Sequence, residues 1–194
     1  MSNIQELKGL VNRRSGLAHQ NRFLVHVTPP KPILLSQQYD AYDFNILCEN
    51  CTLPGRQITT LDYQLLRQSI KVPNGYINEE VAFSFLLTND FYVKKIFDSW
   101  STSVINFDNY RANYLEDYKG TIQIYQLDKH ENKVYGVELM NAFPTSLNSI
   151  PLDNNSENTV QRFAVSMAYE DFFVLPLDYK PAPESLSNAK PLEE

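Results

Sequence analysis

Along most of the chain apolar residues fall on every second position, the period of a strand with one covered face. Phe23, Val25 and Val27 share a face over residues 23–27, and Pro29, Pro30 and Pro32 end that strand. Residues 31–43 then read as a loop, and residues 44–48 as a second short strand stopped by Pro54-Gly55. Over 81–87, Val81, Phe83, Phe85 and Leu87 point one way while Ala82, Ser84 and Leu86 point the other. Residues 120–127 and 134–140 flank a turn at Lys129-His130-Glu131-Asn132 and read as a hairpin, closed by Asn141-Ala142-Phe143-Pro144. A polar loop with Pro151 follows over 148–158. The last strand, 159–169, sets Phe163, Val165, Met167 and Tyr169 on one face.

A helical period stands out once. Val93, Ile96, Phe97, Trp100 and Val104 form one apolar stripe, with Asn89 or Asp90 placed to cap it. A weaker pattern at Ile4, Leu7, Leu10 and Val11 predicts a turn or two of helix in the polar segment 1–21. Residues 58–72 stay open between a strand, the arm of a long hairpin and a short helix; Pro73-Asn74-Gly75 then signals a turn. Residues 110–118 read as a polar, aromatic loop, and residues 176–194, with four prolines and several acids, as a flexible tail. About seven strands and one helix make a mainly β fold with one flanking α-helix, a barrel or sandwich over 22–175 between a terminal arm and a tail.

The 194 residues suffice for one domain with a core that needs no disulfide or metal. The net charge of −6 repels nucleic acid and anionic membranes, which excludes a typical nucleic-acid binder and suits a surface past which DNA slides. No run of about 20 apolar residues marks a membrane anchor, and the first ten residues hold no apolar signal core, so synthesis in a cytoplasm is the expectation.

Candidate chemistry is sparse. Cys48 and Cys51 have Cys-x-x-Cys spacing, but a zinc site needs four ligands and His19, His26 and His130 are scattered. A redox motif places its first cysteine at a helix start, whereas Pro54-Gly55 here breaks helix. Two reduced cysteines at a strand end is the reading, with a bond to a neighbouring copy as the alternative. No nucleophile elbow, P-loop or zinc-protease motif occurs, so no catalytic, metal or cofactor residue is assigned. The acidic pairs Glu79-Glu80, Glu116-Asp117 and Glu170-Asp171 read as solvated charges, since neighbours on a strand face opposite ways. Arg13-Arg14 with His19 and Arg22 is the one basic cluster, fit for phosphate or for an acidic neighbouring copy. A β-barrel ligand binder is the alternative of another class, but it needs convergent polar groups that the sequence does not display.

An ordered set of segments carries a resemblance. Leu17-Ala18-His19-Gln20-Asn21-Arg22-Phe23 leads into the first strand, and Leu53-Pro54-Gly55, Pro73-Asn74-Gly75 and Val81-Ala82-Phe83-Ser84-Phe85 follow. Then come the Trp100 helix, Tyr118-Lys119-Gly120-Thr121-Ile122, Asn141-Ala142-Phe143-Pro144, the strand through Met167 and the aromatic pair Phe172-Phe173. Over residues 17–175 this set resembles the tail tube proteins of T4-type contractile-tailed bacteriophages. The resemblance implies a small β-barrel or sandwich with a flanking helix. It also implies hexameric rings joined edge to edge and stacked in a contractile sheath, around a lumen that passes DNA without specific binding. The implied partners are further copies of the chain, the tail sheath protein and baseplate tube initiators, and the implied location is the virion tail. A single-ring initiator, or a tube subunit of another contractile injection system, is the nearest alternative. Leu7, Leu10, Val11, Arg13 and Arg14 on the arm, with Tyr63, Leu65, Leu66 and Arg67, are expected to make assembly contacts, because their apolar members have no evident core role.

Overall fold

In a computed structural model, residues 4–14, 16–36, 39–65, 68–107, 110–155 and 159–177 are described. Their elements run α1 (Ile4–Arg13), β1 (Phe23–Thr28), α2 (Lys31–Ser36), α3 (Ala41–Leu47), β2 (Cys48–Cys51), β3 (Arg56–Leu65) and β4 (Gln68–Asn78). There follow β5 (Val81–Leu86), α4 (Tyr92–Val104), β6 (Ile105–Asn106), β7 (Arg111–Ala112) and α5 (Leu115–Tyr118). The chain closes with β8 (Gly120–Leu127), β9 (Lys133–Leu147), β10 (Arg162–Ala168) and β11 (Asp171–Val174). The tail expected over 176–194 lies outside the described residues from position 178 onward.

One antiparallel path, β1-β8-β9-β10-β5-β2, with β11 also on β9, makes two sheets from seven strands. The 15-residue β9 belongs to both: residues 133–142 pair with β8, and residues 143–147 with β10. β10 and β11 keep one register against it, Ala168 opposite Phe143 and Asp171 opposite Met140. A two-stranded ribbon therefore bends from one sheet into the other. Asn141 takes the left-handed conformation at that bend (φ 52°), and its side-chain amide donates to the Glu170 carboxylate across the ribbon.

Both sheets and α4 feed one core. Val25, Val27, Ile122, Ile124, Val137 and Leu139 come from one sheet; Phe83, Phe85, Phe163, Val165 and Met167 come from the other. Val93, Ile96, Phe97 and Trp100 enter from α4. Trp100 is fully buried, stacks on Phe97 with centroids 5.9 Å apart, and donates its indole N–H to the Tyr118 carbonyl at 2.7 Å. Gly120 makes room for it: a Cβ there would stand 2.4 Å from the indole ring.

The mainly β fold with α4 on its flank is as the alternating pattern predicts, and β8 and its turn lie where expected. Asp128 closes that turn by accepting the N–H groups of His130 and Asn132. Other expectations are corrected. Residues 31–43 are not a loop and 44–48 not a strand: α2 and α3 occupy this stretch, because prolines are tolerated in a first helical turn and Asp40 caps α3 by accepting the Tyr42 N–H at 2.8 Å. Asn141-Ala142-Phe143-Pro144 does not end a strand but carries β9 round the bend, with Pro144 next to a bulge in β9 where Thr145 is the extra residue, a place that tolerates proline. The cap residue of α4 is Phe91, left-handed at φ 55°, while Asp90 accepts the Tyr92 N–H. Residues 115–118 form a helical turn inside the predicted loop, and β11 is a strand that no periodic pattern announced.

Candidate assembly surface

Of the open readings for residues 58–72, the long hairpin is the one found. β3 and β4 pair from Arg56–Asn78 out to Leu65–Gln68 and share no sheet with any other described strand. Pro73-Asn74-Gly75 is not the turn of this hairpin. Thr59 faces Gly75 and Thr60 faces Pro73, so Asn74 is an extra residue in a bulge. Proline cannot donate to a ladder, which suits it to such a place.

The bulge decides which side chains share a face. Leu61 pairs with Val72, Tyr63 with Ile70 and Gln57 with Ile77, so Leu61, Tyr63, Ile70, Val72 and Ile77 lie together. Without the extra residue Ile77 would fall on the opposite side from Ile70 and Val72. The other face carries Thr60, Asp62, Gln64, Ser69 and Lys71. Leu61, Tyr63, Ile70 and Val72 are each between 45% and 63% exposed. Apart from Ile58 and Tyr76 near the root, which lie on the polar face, the ribbon is thus polar on one face and apolar on the other, and nothing among the described residues covers the apolar face.

The arm repeats this on a helix. α1 sets Ile4, Leu7 and Leu10 outward, with Val11 half-buried, and buries no residue. A ten-residue helix is marginal in water on its own. Its basic end is spent on local bonds in part: Arg13 Nε donates to the Gly9 carbonyl at 3.4 Å. Further on, Arg22 Nη1 donates to the Asp128 carbonyl, and Gln126 Nε2 donates to the carbonyls of His19 and Arg22, both at 2.8 Å. Arg22 is thereby committed to a turn.

Arm and hairpin are rooted on different strands, the arm on β8 and the hairpin on β11. The arm is held at Gln126, while the hairpin root packs on Asp171, opposite Met140 and so beside the Leu139–Ile122 pair. The expected residues Leu7, Leu10, Val11 and Arg13 share α1, and Arg14 stands in the turn after it; Tyr63 stands on the hairpin face; Leu65 ends β3; Leu66 and Arg67 lie outside the described residues. Leu61, Ile70, Val72 and Ile77 were missed: the hairpin pairing brings the first three beside Tyr63, and the bulge adds Ile77 to the same face.

At the root, Arg56 is clamped. Its guanidinium carbon lies 4.5 Å from the ring centroids of both Tyr76 and Phe172. Nη2 pairs with Asp171, and Nε donates to Asn78 Oδ1 at 3.2 Å. Asn78 Nδ2 in turn donates to the Glu170 carbonyl at 3.0 Å. The acidic pair Glu170-Asp171 is therefore bonded into the structure rather than merely solvated.

Sheet edges differ in cover. At β1 the Val25 N–H donates to Asn45 Oδ1 at 2.8 Å, and the Tyr39 hydroxyl donates to the Val27 carbonyl. Side chains from α3 and the turn before it thus occupy this edge, a common protection against stray pairing. β2 and β11 are the other terminal strands.

Cys48 and Cys51 are free thiols at the two ends of β2. A register shift between Cys48 and Asn50 puts both opposite core phenylalanines, Phe85 and Phe83, so three-residue spacing still serves one face. Burial, then the neighbouring Cys51, push the Cys48 thiol up to about 12; burial pushes Cys51 up to about 11. These are core thiols and poor nucleophiles. His26 is exposed on the outer side of β1. An open cleft of about 760 Å³ lies between α3 and α4, but its Asp40 and Asp90 carboxylates already cap helices. No group of three metal-ligating side chains gathers among the described residues.

Two sheets with α4 around one core, and a separate apolar ribbon, are what the described residues build. The chain belongs to the phage tail tube protein family, whose model matches residues 18–175. No curated protein matches it in sequence. Among solved structures it is similar to a chain of the six-fold symmetrised anti-feeding prophage baseplate (TM-score 0.63, 14% identity, covering 85% of this chain and 99% of that one). A chain of the anti-feeding prophage tube-terminating cap is also similar (0.60, 15%, 83% and 92%). So is a chain of the sheath–tube complex of an extracellular contractile injection system (0.56, 16%, 83% and 93%). At these identities the likeness is one of fold. The chain is thus a tail tube protein with the fold found in contractile injection systems.

Proposed function

We propose that this chain is the repeating subunit of a contractile phage tail tube of the T4 type. Six copies close into a ring, rings stack into a tube within a sheath, and DNA passes along the lumen into the host without specific binding. Residues 22–175 are the tube domain, and residues 1–21 are an arm that orders against another copy. The observation that carries this reading is the apolar face of the β3–β4 hairpin, uncovered in a subunit whose core is otherwise closed. A lone two-stranded ribbon is at best marginally stable in water, so such a face calls for a partner. Another copy is the partner that family membership supports. The six-fold symmetry of the baseplate that holds a similar chain supports six copies. A closed ring leaves no free sheet edge, and β2 and β11 are the strands left for edge-to-edge joining once β1 is covered. The net charge of −6 keeps a passing polyanion from sticking. Sheath protein and baseplate initiators are the further partners, and the virion tail is the place of action after synthesis in the host cytoplasm.

Negative-stain electron microscopy of the purified protein over a concentration series tests this. Hollow tubes of constant width, or stacked six-fold rings, are the expected result. Single rings that never stack would move the assignment to an initiator. Monomers at every concentration, even with baseplate seeds added, would overturn it.

A further inference from the structure

We infer that Arg56 is a positioning residue for assembly: clamped between a ring of the hairpin and a ring of the body, it aims the β3–β4 ribbon and turns its apolar face away from the subunit. The inference rests on the reading of the hairpin as the surface that meets another copy.

The hairpin has few other supports. Its strands form a sheet of their own; at the root, among the described residues, the Glu79 N–H donates to the Gly55 carbonyl at 3.0 Å, Asn78 Nδ2 to the Glu170 carbonyl at 3.0 Å and the Tyr169 hydroxyl to the Glu79 carbonyl at 2.8 Å. A root of that kind holds position but not direction. Direction comes from Arg56. Phe172 and Asp171 belong to β11, in the body; Tyr76 and Asn78 belong to β4, in the ribbon. The guanidinium touches all four, with 4.5 Å to each ring centroid, the ion pair to Asp171 and the bond to Asn78. A planar cation between two rings resists both bending and rolling of the ribbon, which a flexible ammonium would not do.

The register adds the second half. Arg56 pairs with Asn78, and Tyr76 pairs with Ile58, so Arg56 and Tyr76 share the face opposite Leu61, Tyr63, Ile70 and Val72. Holding the Arg56 face against β11 points the apolar face outward at the root. A ten-residue strand is about 30 Å long, so a 20° error at the root displaces the tip by about 10 Å. A subunit that must place this face on another copy loses binding when the root is loose, because the ordering cost then falls at docking.

The test measures direction and assembly separately. Spin labels on unnatural side chains at Ser69 and His26, with both cysteines kept, report the hairpin–body distance in the unassembled subunit. The full chain should give one narrow distribution. Arg56→Ala should broaden it, leave the unfolding midpoint nearly unchanged, and raise the critical concentration for tubes by about tenfold, the scale of one ion pair with two ring contacts. Arg56→Lys should resemble Arg56→Ala, and Asp171→Asn should fall between. Phe172→Leu gives an independent route to the same loosening should Arg56→Ala fold poorly. A distribution that stays narrow in Arg56→Ala and Phe172→Leu would overturn the inference. So would a broadened one with tubes at the same concentration. If the unsubstituted chain makes no tubes with seeds present, the tube reading falls; the distance distributions alone then judge whether Arg56 aims the ribbon.

Discussion

β5 and the β3–β4 hairpin carry the same kind of alternating apolar pattern and meet opposite fates. Val81, Phe83 and Phe85 are buried in the core, Phe85 against Phe44 of α3 and Phe97 of α4, while Leu61, Tyr63, Ile70 and Val72 stay in solvent. Alternation specifies that one face of a strand is to be covered. It does not specify by whom. In β5 the cover comes from the same chain; in the hairpin the register and the bulge gather a face that nothing among the described residues covers. The apolar residues thus divide between a private core and one that, on the proposed function, is shared with another copy.

Substitutions at the two cores should separate folding from assembly. Trp100→Ala should cost about 3–5 kcal/mol in urea unfolding, since it empties the fully buried site that Gly120 was shaped to admit. A change near zero would mean the α4 stripe is not core. Leu61→Ser with Val72→Ser should do the reverse. Unfolding should move by less than about 0.5 kcal/mol, while the critical concentration for tubes rises about a hundredfold. Equal loss of both would erase the distinction between the cores. Deletion of residues 1–14 should weaken stacking about tenfold with folding kept, as lost multivalent contacts do; unchanged tube formation would remove the arm from the shared surface.

The smallest effect belongs to the thiols. Cys48 and Cys51 hold their protons more tightly in the folded chain, so their contribution is whole below about 9 and is lost as pH rises from there through 11 and 12. Cys48→Ala with Cys51→Ala should still form tubes and should lose less stability between pH 8 and 10.5 than the unsubstituted chain. Failure to assemble would revive a bond between copies.

The parts legible in the sequence are those where local pattern and tertiary outcome agree. β1, β5, β8 and β10 alternate over several residues, and the α4 stripe has no rival period. α3 was hidden because Phe44, Ile46 and Cys48 also fit a strand; the Asp40 cap followed by Asp43 was the signal that could have exposed it. β11, at four residues, is too short to show a period. Pro73-Asn74-Gly75 and Asn141-Ala142-Phe143-Pro144 are turn-like in composition, and both proved to be irregularities inside long strands. Proline and left-handed residues serve bends and bulges as well as turns. Of the assembly surface, Tyr63 was legible as an apolar residue without a core role. Its neighbours were not, since the strand pairing of residues 58–72 stayed open, and a one-residue bulge in the partner strand decides the face of Ile77. Arg56 was invisible, because its partners lie on β4 and β11, up to 116 positions along the chain.

The ribbon of β9 with β10 and β11 has a mechanical meaning. Hydrogen bonds in an antiparallel ladder lie across the strands, so a pull along β9 loads them in shear, side by side, rather than one after another. The same strand runs through both sheets, and tension entering one is delivered to the other without crossing a loop. A subunit wired in this way stretches as one body, its two sheets sharing a load through one continuous strand.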